Sequence, residues 1–283
     1  MHARRCYTLR SRSRTFTLGE RTLIMGIVNV TPDSFSDGGA FFDSNDALRQ
    51  ARKLIDDGAD LLDIGGESTR PFSEPITAEE EMRRVLPLIR AIRSFSDIPI
   101  SIDTTKAEVA QSAVDAGADI INDISSLRFD PSMVQVVRDN LVPIILMHMQ
   151  GTPRTMQEDP AYDSLFSEIL AFLEERIQFA VGSGLPRDQI IVDPGIGFGK
   201  TVTHNALIVR HLEFLNLLDR PVLFGASRKR FIGSILDRPV EEREVGTAVV
   251  NALALAGGAH IIRVHDVAVQ RQVALLCDAV RAA

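Results

Sequence analysis

Seven polar side chains capable of chemistry, Asn29, Asp103, Asn122, Asp193, Lys229, Arg263 and His265, each end or closely follow a short run of Val, Ile and Leu. Asp63, His148 and Ser227 occupy similar places. Asp103, Asn122 and Asp193 are hydrogen-bond acceptors, and the amide also donates. Held together, they match the edge of a flat heterocycle bearing amino and ring N–H groups, a guanidine-like edge. Lys229, Arg263 and His265 supply cations on the last two apolar runs, and a guanidinium can grip two phosphate oxygens at once. An uncharged Asn29 could hold a metal ion that bridges a diphosphate without adding to the carboxylate repulsion. A buried carboxylate without a partner is costly, so one of these aspartates is expected to stay strained until a ligand arrives.

Residues so far apart in sequence need a scaffold that gathers strand ends. The candidate strands are TLIMGIVN, DLLDIG, IPISID, DIINDI, VPIILMH, QIIVDP, PVLFGAS and HIIRVH. They recur about every 35 residues with helical patterns between them, as in an α/β fold of (β/α)8 type, a TIM barrel of one domain. A helix is expected from about Asp46 to Asp57, with Ala47, Leu48, Ala51, Leu54 and Ile55 on one stripe and Gly58 closing it. GAD at 58–60, GAD at 117–119 and GGAH at 257–260 form a weak internal repeat, each leading into a strand. An open doubly wound sheet would more often carry a glycine fingerprint after its first strand, and TPDSFSDGG is not one. Barrel active sites form at the C-terminal ends of the strands, where these polar residues fall.

The loops TPDSFSDGG and GESTRPFS, with Phe35 and Phe72, have the composition of mobile lids. DPGIGFGKT, residues 193–201, is one residue short of a phosphate-binding loop and carries Pro194 where a glycine is required. It reads as a flexible loop with Phe198 as an aromatic wall. MHM around His148, and the pair His260 and His265, lack zinc-ligand spacing, so His148 is expected as a packed polar residue.

A formal net charge of -7 over 283 residues argues against a general nucleic-acid binder. The apolar runs are too short for a membrane span, and two distant cysteines, Cys6 and Cys277, offer no disulfide framework. A cytoplasmic setting is expected. Residues 1–14 carry five arginines and no acid, and read as a frayed basic extension ahead of a barrel over 15–283.

GIVNVTPDSFSDGG, DIGGESTRP, SIDT, NDI, ILMHMQGTP, DPGIGFGKT, SRKRFIG and IIRVHDV occur in the order found in dihydropteroate synthases, and the chain resembles that family from about Thr15 almost to its end. The resemblance implies a folate-synthesis enzyme that condenses a dihydropterin-methyl diphosphate with 4-aminobenzoate, assisted by Mg2+. It implies a pterin site of Asp103, Asn122, Asp193, Lys229 and Arg263. Asn29, Thr69, Arg263 and His265 would hold the diphosphate, with Asn29 also on the metal, and Lys229, Arg263 and His265 would be catalytic. Arg70, Pro71, Phe198, Ser227 and Lys229 would shape the 4-aminobenzoate site. The resemblance also implies a homodimer and inhibition by sulfonamides. Phe72, where glycine is frequent, and Thr105, where an aromatic is common, depart from the family pattern. Two other readings use the same ring-binding residues: a pterin-dependent methyltransferase barrel serving a corrinoid protein, and a non-catalytic paralogue.

Overall fold

Residues 4–12, 14–31, 44–68 and 74–283 are described by the structure, a computed structural model. Strands β1 (Tyr7–Ser11) and β2 (Arg14–Leu18) pair antiparallel as a hairpin. The arginine-rich segment expected to fray is therefore a strand over much of its length. Its charges find acids, Arg14 on Asp119 at 2.9 Å and Arg5 on Asp219 at 2.7 Å, while Leu9 and Leu18 turn inward to 1% exposure. The arginine count hid two apolar side chains spaced to bury.

Each Val/Ile/Leu run becomes a strand, because β-branched side chains suit extended backbone and both faces of the run find apolar partners. These strands are β3 (Leu23–Asn29), β4 (Leu61–Gly65), β5 (Ile100–Asp103), β6 (Ile120–Asp123), β7 (Ile144–Met147), β8 (Ile190–Asp193), β9 (Leu223–Phe224) and β10 (Ile261–Val264). They form one parallel sheet in the order β8, β7, β6, β5, β4, β3, β10, β9. Val192 of β8 bridges Val222, just ahead of β9, so the sheet closes into a (β/α)8 barrel.

The outer ring is built from α1 (Ser44–Asp56), α2 (Ala78–Arg93), α3 (Ala107–Asp115), α4 (Met133–Asn140), α5 (Leu165–Gly182), α6 (Val202–Arg210), α7 (Arg230–Leu236), α8 (Glu244–Ala256) and α9 (Val267–Ala282). In α1, Ala47, Ala51 and Leu54 are buried, and Gly58 takes the positive φ of +95° that closes the helix. Among the described residues, no helix is long and apolar enough to cross a membrane.

The weak GAD repeat has a structural cause. Asp60 accepts the backbone N–H of Ile24 at 2.8 Å, Asp119 that of Ile100 at 3.0 Å, and His260 Nδ1 that of Val222 at 3.1 Å. Each side chain stands just before one strand and satisfies an amide within one residue of the start of its neighbour, a group that would otherwise be orphaned at the sheet rim.

Alternation along the strands sorts the core in two. Ile24, Leu62, Ile64, Ile102, Ile121, Leu146, Val192 and Ile262 face the helices. Met25, Leu61, Ile120, Ile145, Ile191, Leu223 and Ile261 face inward and pack with Leu9 and Leu18 of the hairpin. The hairpin thus stoppers the N-terminal end of the barrel. Leu18→Ala is expected to lower unfolding stability by about 2–5 kcal/mol through the cavity it leaves; urea denaturation measures this, and an unchanged midpoint would show that the hairpin does not bear on the core.

Candidate active site

Counting two residues beyond the apolar floor reaches the next inward-facing layer, and its chemistry changes. Leu61 is followed by Asp63, Ile120 by Asn122, Ile191 by Asp193 and Ile261 by Arg263. Asp103 ends β5, beside Asn122 of β6 and Gly65 of β4 in the strand register. The same alternation that makes the floor therefore makes a polar layer above it. Gly225 follows Leu223 at the same spacing, and a Cβ there would lie 3.8 Å from the Arg263 side chain and 3.9 Å from Asp193 Oδ2. These are ordinary van der Waals distances, so the position lies directly against both groups.

Arg263 organises this layer. Its Nε donates to Asp63 Oδ2 at 2.6 Å and its Nη2 to Asp103 Oδ2 at 2.8 Å. Asn122 Nδ2 donates to the same Asp63 oxygen at 3.2 Å. Asp63 is fully buried, and its Oδ1 has no hydrogen-bond partner among the described residues. Burial, reinforced by the neighbouring Asp63 charge, pushes the Asp103 carboxyl up to about 7 despite its bond to Arg263. Of the two acceptor aspartates, Asp103 is raised further from its ordinary value than Asp193.

The cations of the last two apolar runs do not stand apart from the carboxylates. Lys229 and Arg263 stand near enough for each to bear on the other's charge, but Arg263 lies between two carboxylates. The reason is electrostatic: without the guanidinium, Asp63 and Asp103 would be two uncompensated charges in the barrel interior.

On the other side, Asp193 Oδ1 accepts the backbone N–H of Gly195 at 2.7 Å. Burial raises this carboxyl to about 6, opposed by that N–H and by the charges of Lys229, Lys200 and Arg263. Lys229 is lowered to about 8 by burial, then by Arg263. Its ammonium sits 4.1 Å from the centre of the Phe198 ring, a cation–π contact. His265 Nδ1 and Ser227 Oγ are 2.9 Å apart, and Ser227 Oγ also accepts the His265 backbone N–H at 3.2 Å.

Asn29 ends β3 beside Gly65, and its Oδ1 lies 3.8 Å from where a Gly65 Cβ would stand, as does Asp103 Oδ2. The Asn29 amide oxygen at the rim is an uncharged hard-oxygen donor of the kind Mg2+ accepts when substrate phosphates supply the remaining ligands, while Asp103 Oδ2 is engaged by Arg263. Thr69, Arg70 and Pro71 lie outside the described residues, as do Phe35 and Phe72.

The structure thus brings together Asp103, Asn122, Asp193, Lys229, Arg263 and Phe198, with Asn29 at the rim beside Asp103. Ser227 and His265 are linked to each other next to Lys229 and Arg263 in the chain. Two residues escaped the sequence reading. Asp63 was taken for a strand end, yet it lies in mid-strand; its spacing of two from Leu61 was the available signal. Lys200, only 3% exposed, sits in a loop expected to be flexible. That loop is instead packed: Ile196 and Phe198 are buried, and at Gly195, where φ is +67°, a Cβ would meet the His148 carbonyl oxygen at 1.9 Å. His148 is a packed polar residue, with its ring 5.0 Å from that of Phe172.

Comparison with known proteins places this geometry. A family model described as pterin binding enzyme matches residues 25–265. The dihydropteroate synthase of Synechocystis sp. is 48% identical over 265 residues, covering 93% of this chain and 92% of that protein. The crystal structure of Yersinia pestis dihydropteroate synthase with a sulfonamide drug has a TM-score of 0.92 and 40% identity, covering 98% of this chain and 100% of that one. The Xanthomonas albilineans dihydropteroate synthase in complex with 7,8-dihydropteroate has a TM-score of 0.88 and 41% identity, with 98% and 99% covered. Similarity of this degree over almost the full length has one meaning: the chain belongs to the pterin-binding enzyme family, among its dihydropteroate synthases.

Proposed function

We propose that this site condenses (7,8-dihydropterin-6-yl)methyl diphosphate with 4-aminobenzoate, giving 7,8-dihydropteroate and diphosphate. The observation that carries the reading is the buried layer of Asp103, Asn122 and Asp193 with Arg263 and Lys229 among them. An aminopyrimidinone edge presents donors to those acceptors, and burial strengthens each such bond. Asp103, Asn122, Asp193, Lys229 and Arg263 bind the pterin in this reading. Asn29, Thr69, Arg263 and His265 face the diphosphate, while Arg70, Pro71, Phe198, Ser227 and Lys229 face the 4-aminobenzoate.

The aniline nitrogen attacks the methylene carbon with its lone pair, and the carbon–oxygen bond to diphosphate breaks with its electrons leaving on oxygen. One N–H proton is then released. The amine is nucleophilic when neutral, so the chain's task is to align and to stabilise separating charge. Lys229, Arg263 and His265 serve the second task. Arg263 Nη1 has no protein partner among the described residues, so the guanidinium keeps a donor for the ligand while holding Asp63 and Asp103. Mg2+ held by Asn29 would supply further charge stabilisation on the departing diphosphate.

The partner on the outer surface is a second copy of the chain. Val245, Val249 and Leu253 repeat every four residues along α8 at 77%, 56% and 53% exposure, with Leu276 and Val280 of α9 also exposed. A groove of about 500 Å³ lined by Phe231, Ile235, Val250 and Leu253 adjoins that ridge. A contiguous apolar face of this kind suits a homodimer. The cytoplasmic setting rests on the two free cysteines, Cys6 and Cys277.

Purified protein given both substrates and Mg2+ should form dihydropteroate and diphosphate together, and a sulfonamide should compete with 4-aminobenzoate; diphosphate release without amine consumption would sink the reading. The pH profile has a defined sign. Asp193 and Asp103 offer both oxygens as charged acceptors only when ionised, so kcat/KM for the pterin should climb as pH rises through about 6 to about 7. It should fall past about 8, where Lys229 loses its proton. A flat profile over that range would remove these groups from binding. Sedimentation should find the native chain as a dimer and Val249→Glu as a monomer, whereas a monomeric native chain would refute the pairing.

A further inference from the structure

Lys200 lies in the buried loop between β8 and α6, and the chemistry proposed above does not use it. Among the described residues it forms no salt bridge; its Nζ lies 2.9 Å from His148 Nδ1, 3.0 Å from the Phe198 carbonyl oxygen and 3.5 Å from the His148 carbonyl oxygen. Burial lowers Lys200 to about 7, and the amino group donates to the Phe198 carbonyl oxygen in either protonation state; as an ammonium it only donates, so the neutral imidazole then accepts through Nδ1 and carries its proton on Nε2. Burial, reinforced by the Lys200 and Arg128 charges, holds His148 down at about 2, which keeps the ring in that neutral form. A buried lysine with no carboxylate in bonding reach among the described residues costs free energy, which the Asp193 charge offsets only in part.

What it fixes is a run of backbone. Gly197 O accepts from Gln157 Nε2 at 2.7 Å, Phe198 O from Lys200, Gly199 O from the Tyr162 hydroxyl at 2.7 Å, and Lys200 O from Asn205 Nδ2 at 3.4 Å. Four consecutive carbonyls are thus tied by four side chains from different places in the fold. Lys200 alone among these donors ties the loop to the end of β7, and it does so at the residue whose ring lies under Lys229.

We propose that Lys200 is a positioning residue for the amine subsite: its buried amino group clamps the Phe198 carbonyl to His148 and thereby sets the Phe198 ring against Lys229. The inference rests on the 4-aminobenzoate assignment of Phe198 and Lys229 made above. Without the clamp, the Phe198 carbonyl is orphaned and the loop must shift to find water. The aromatic wall then moves, while the pterin acceptors on β5, β6 and β8 keep their strand-borne places.

The test is steady-state kinetics of Lys200→Met at about pH 8, where Asp193 stays ionised without the lysine's help. We expect the 4-aminobenzoate KM to rise about tenfold with kcat changed less than about threefold, and the pterin KM unchanged. Titration of pterin fluorescence in the absence of amine should give native affinity, which also reports that the variant is folded. Tyr162→Phe releases the adjacent Gly199 carbonyl and should raise the same KM by a smaller factor. A lower melting temperature with an unchanged amine KM, or an equal rise in both KM values, would overturn the proposal. If Lys200→Met does not fold, Tyr162→Phe decides, and an unchanged amine KM in that variant is equally fatal. A native protein that makes no dihydropteroate would defeat the functional reading instead, and an active native protein separates the two failures.

Discussion

One guanidinium held between two buried carboxylates sets the terms for the rest of the barrel mouth. Arg263 makes bonds of 2.6 and 2.8 Å to Asp63 and Asp103, side chains from β4 and β5 that meet one from β10 across the interior. Two carboxylates could not share this space without it, because each would be desolvated and both would repel. With it, Asp103 stays near its titration point at about 7 and Asp63 keeps one oxygen unbonded among the described residues. The layer is therefore electrostatically incomplete by construction. A ligand that brings N–H groups to this layer relieves a cost already incurred in folding, and this is a source of affinity that surface aspartates cannot offer.

The barrel makes such a layer with very little sequence. A spacing of two separates Leu61 from Asp63, Ile120 from Asn122, Ile191 from Asp193 and Ile261 from Arg263, so a single register serves both the apolar floor and the reactive layer. Closure of the sheet at Val192 and Val222 converts these one-strand patterns into a ring. The loop after β8 adds a second kind of precision. Its fixity comes from side-chain donors on its carbonyls rather than from a ladder of strand hydrogen bonds, as the bonds from Gln157, Tyr162 and Asn205 show.

Much of this was legible before any coordinates. Apolar runs punctuated by polar residues located all eight barrel strands, and the residue types at Asp103, Asn122, Asp193, Lys229 and Arg263 pointed to a convergent site. The failures share a cause: each concerned a pairing that is distant in sequence. Asp63 looked like a strand terminus because its partner, Arg263, stands 200 residues away. The glycines of residues 195–199 read as slack, although their positive φ values serve a loop stitched down by donors far from it in the chain. Arginine density masked Leu9 and Leu18, whose burial depends on a barrel end that local pattern does not reveal. GAD, seen only as a repeat, turned out to be a device for an amide at the start of a neighbouring strand.

The hairpin stopper has a consequence for traffic. With Leu9 and Leu18 sealing one end, the well is blind, and whatever reaches the polar layer must enter and leave by the same doorway.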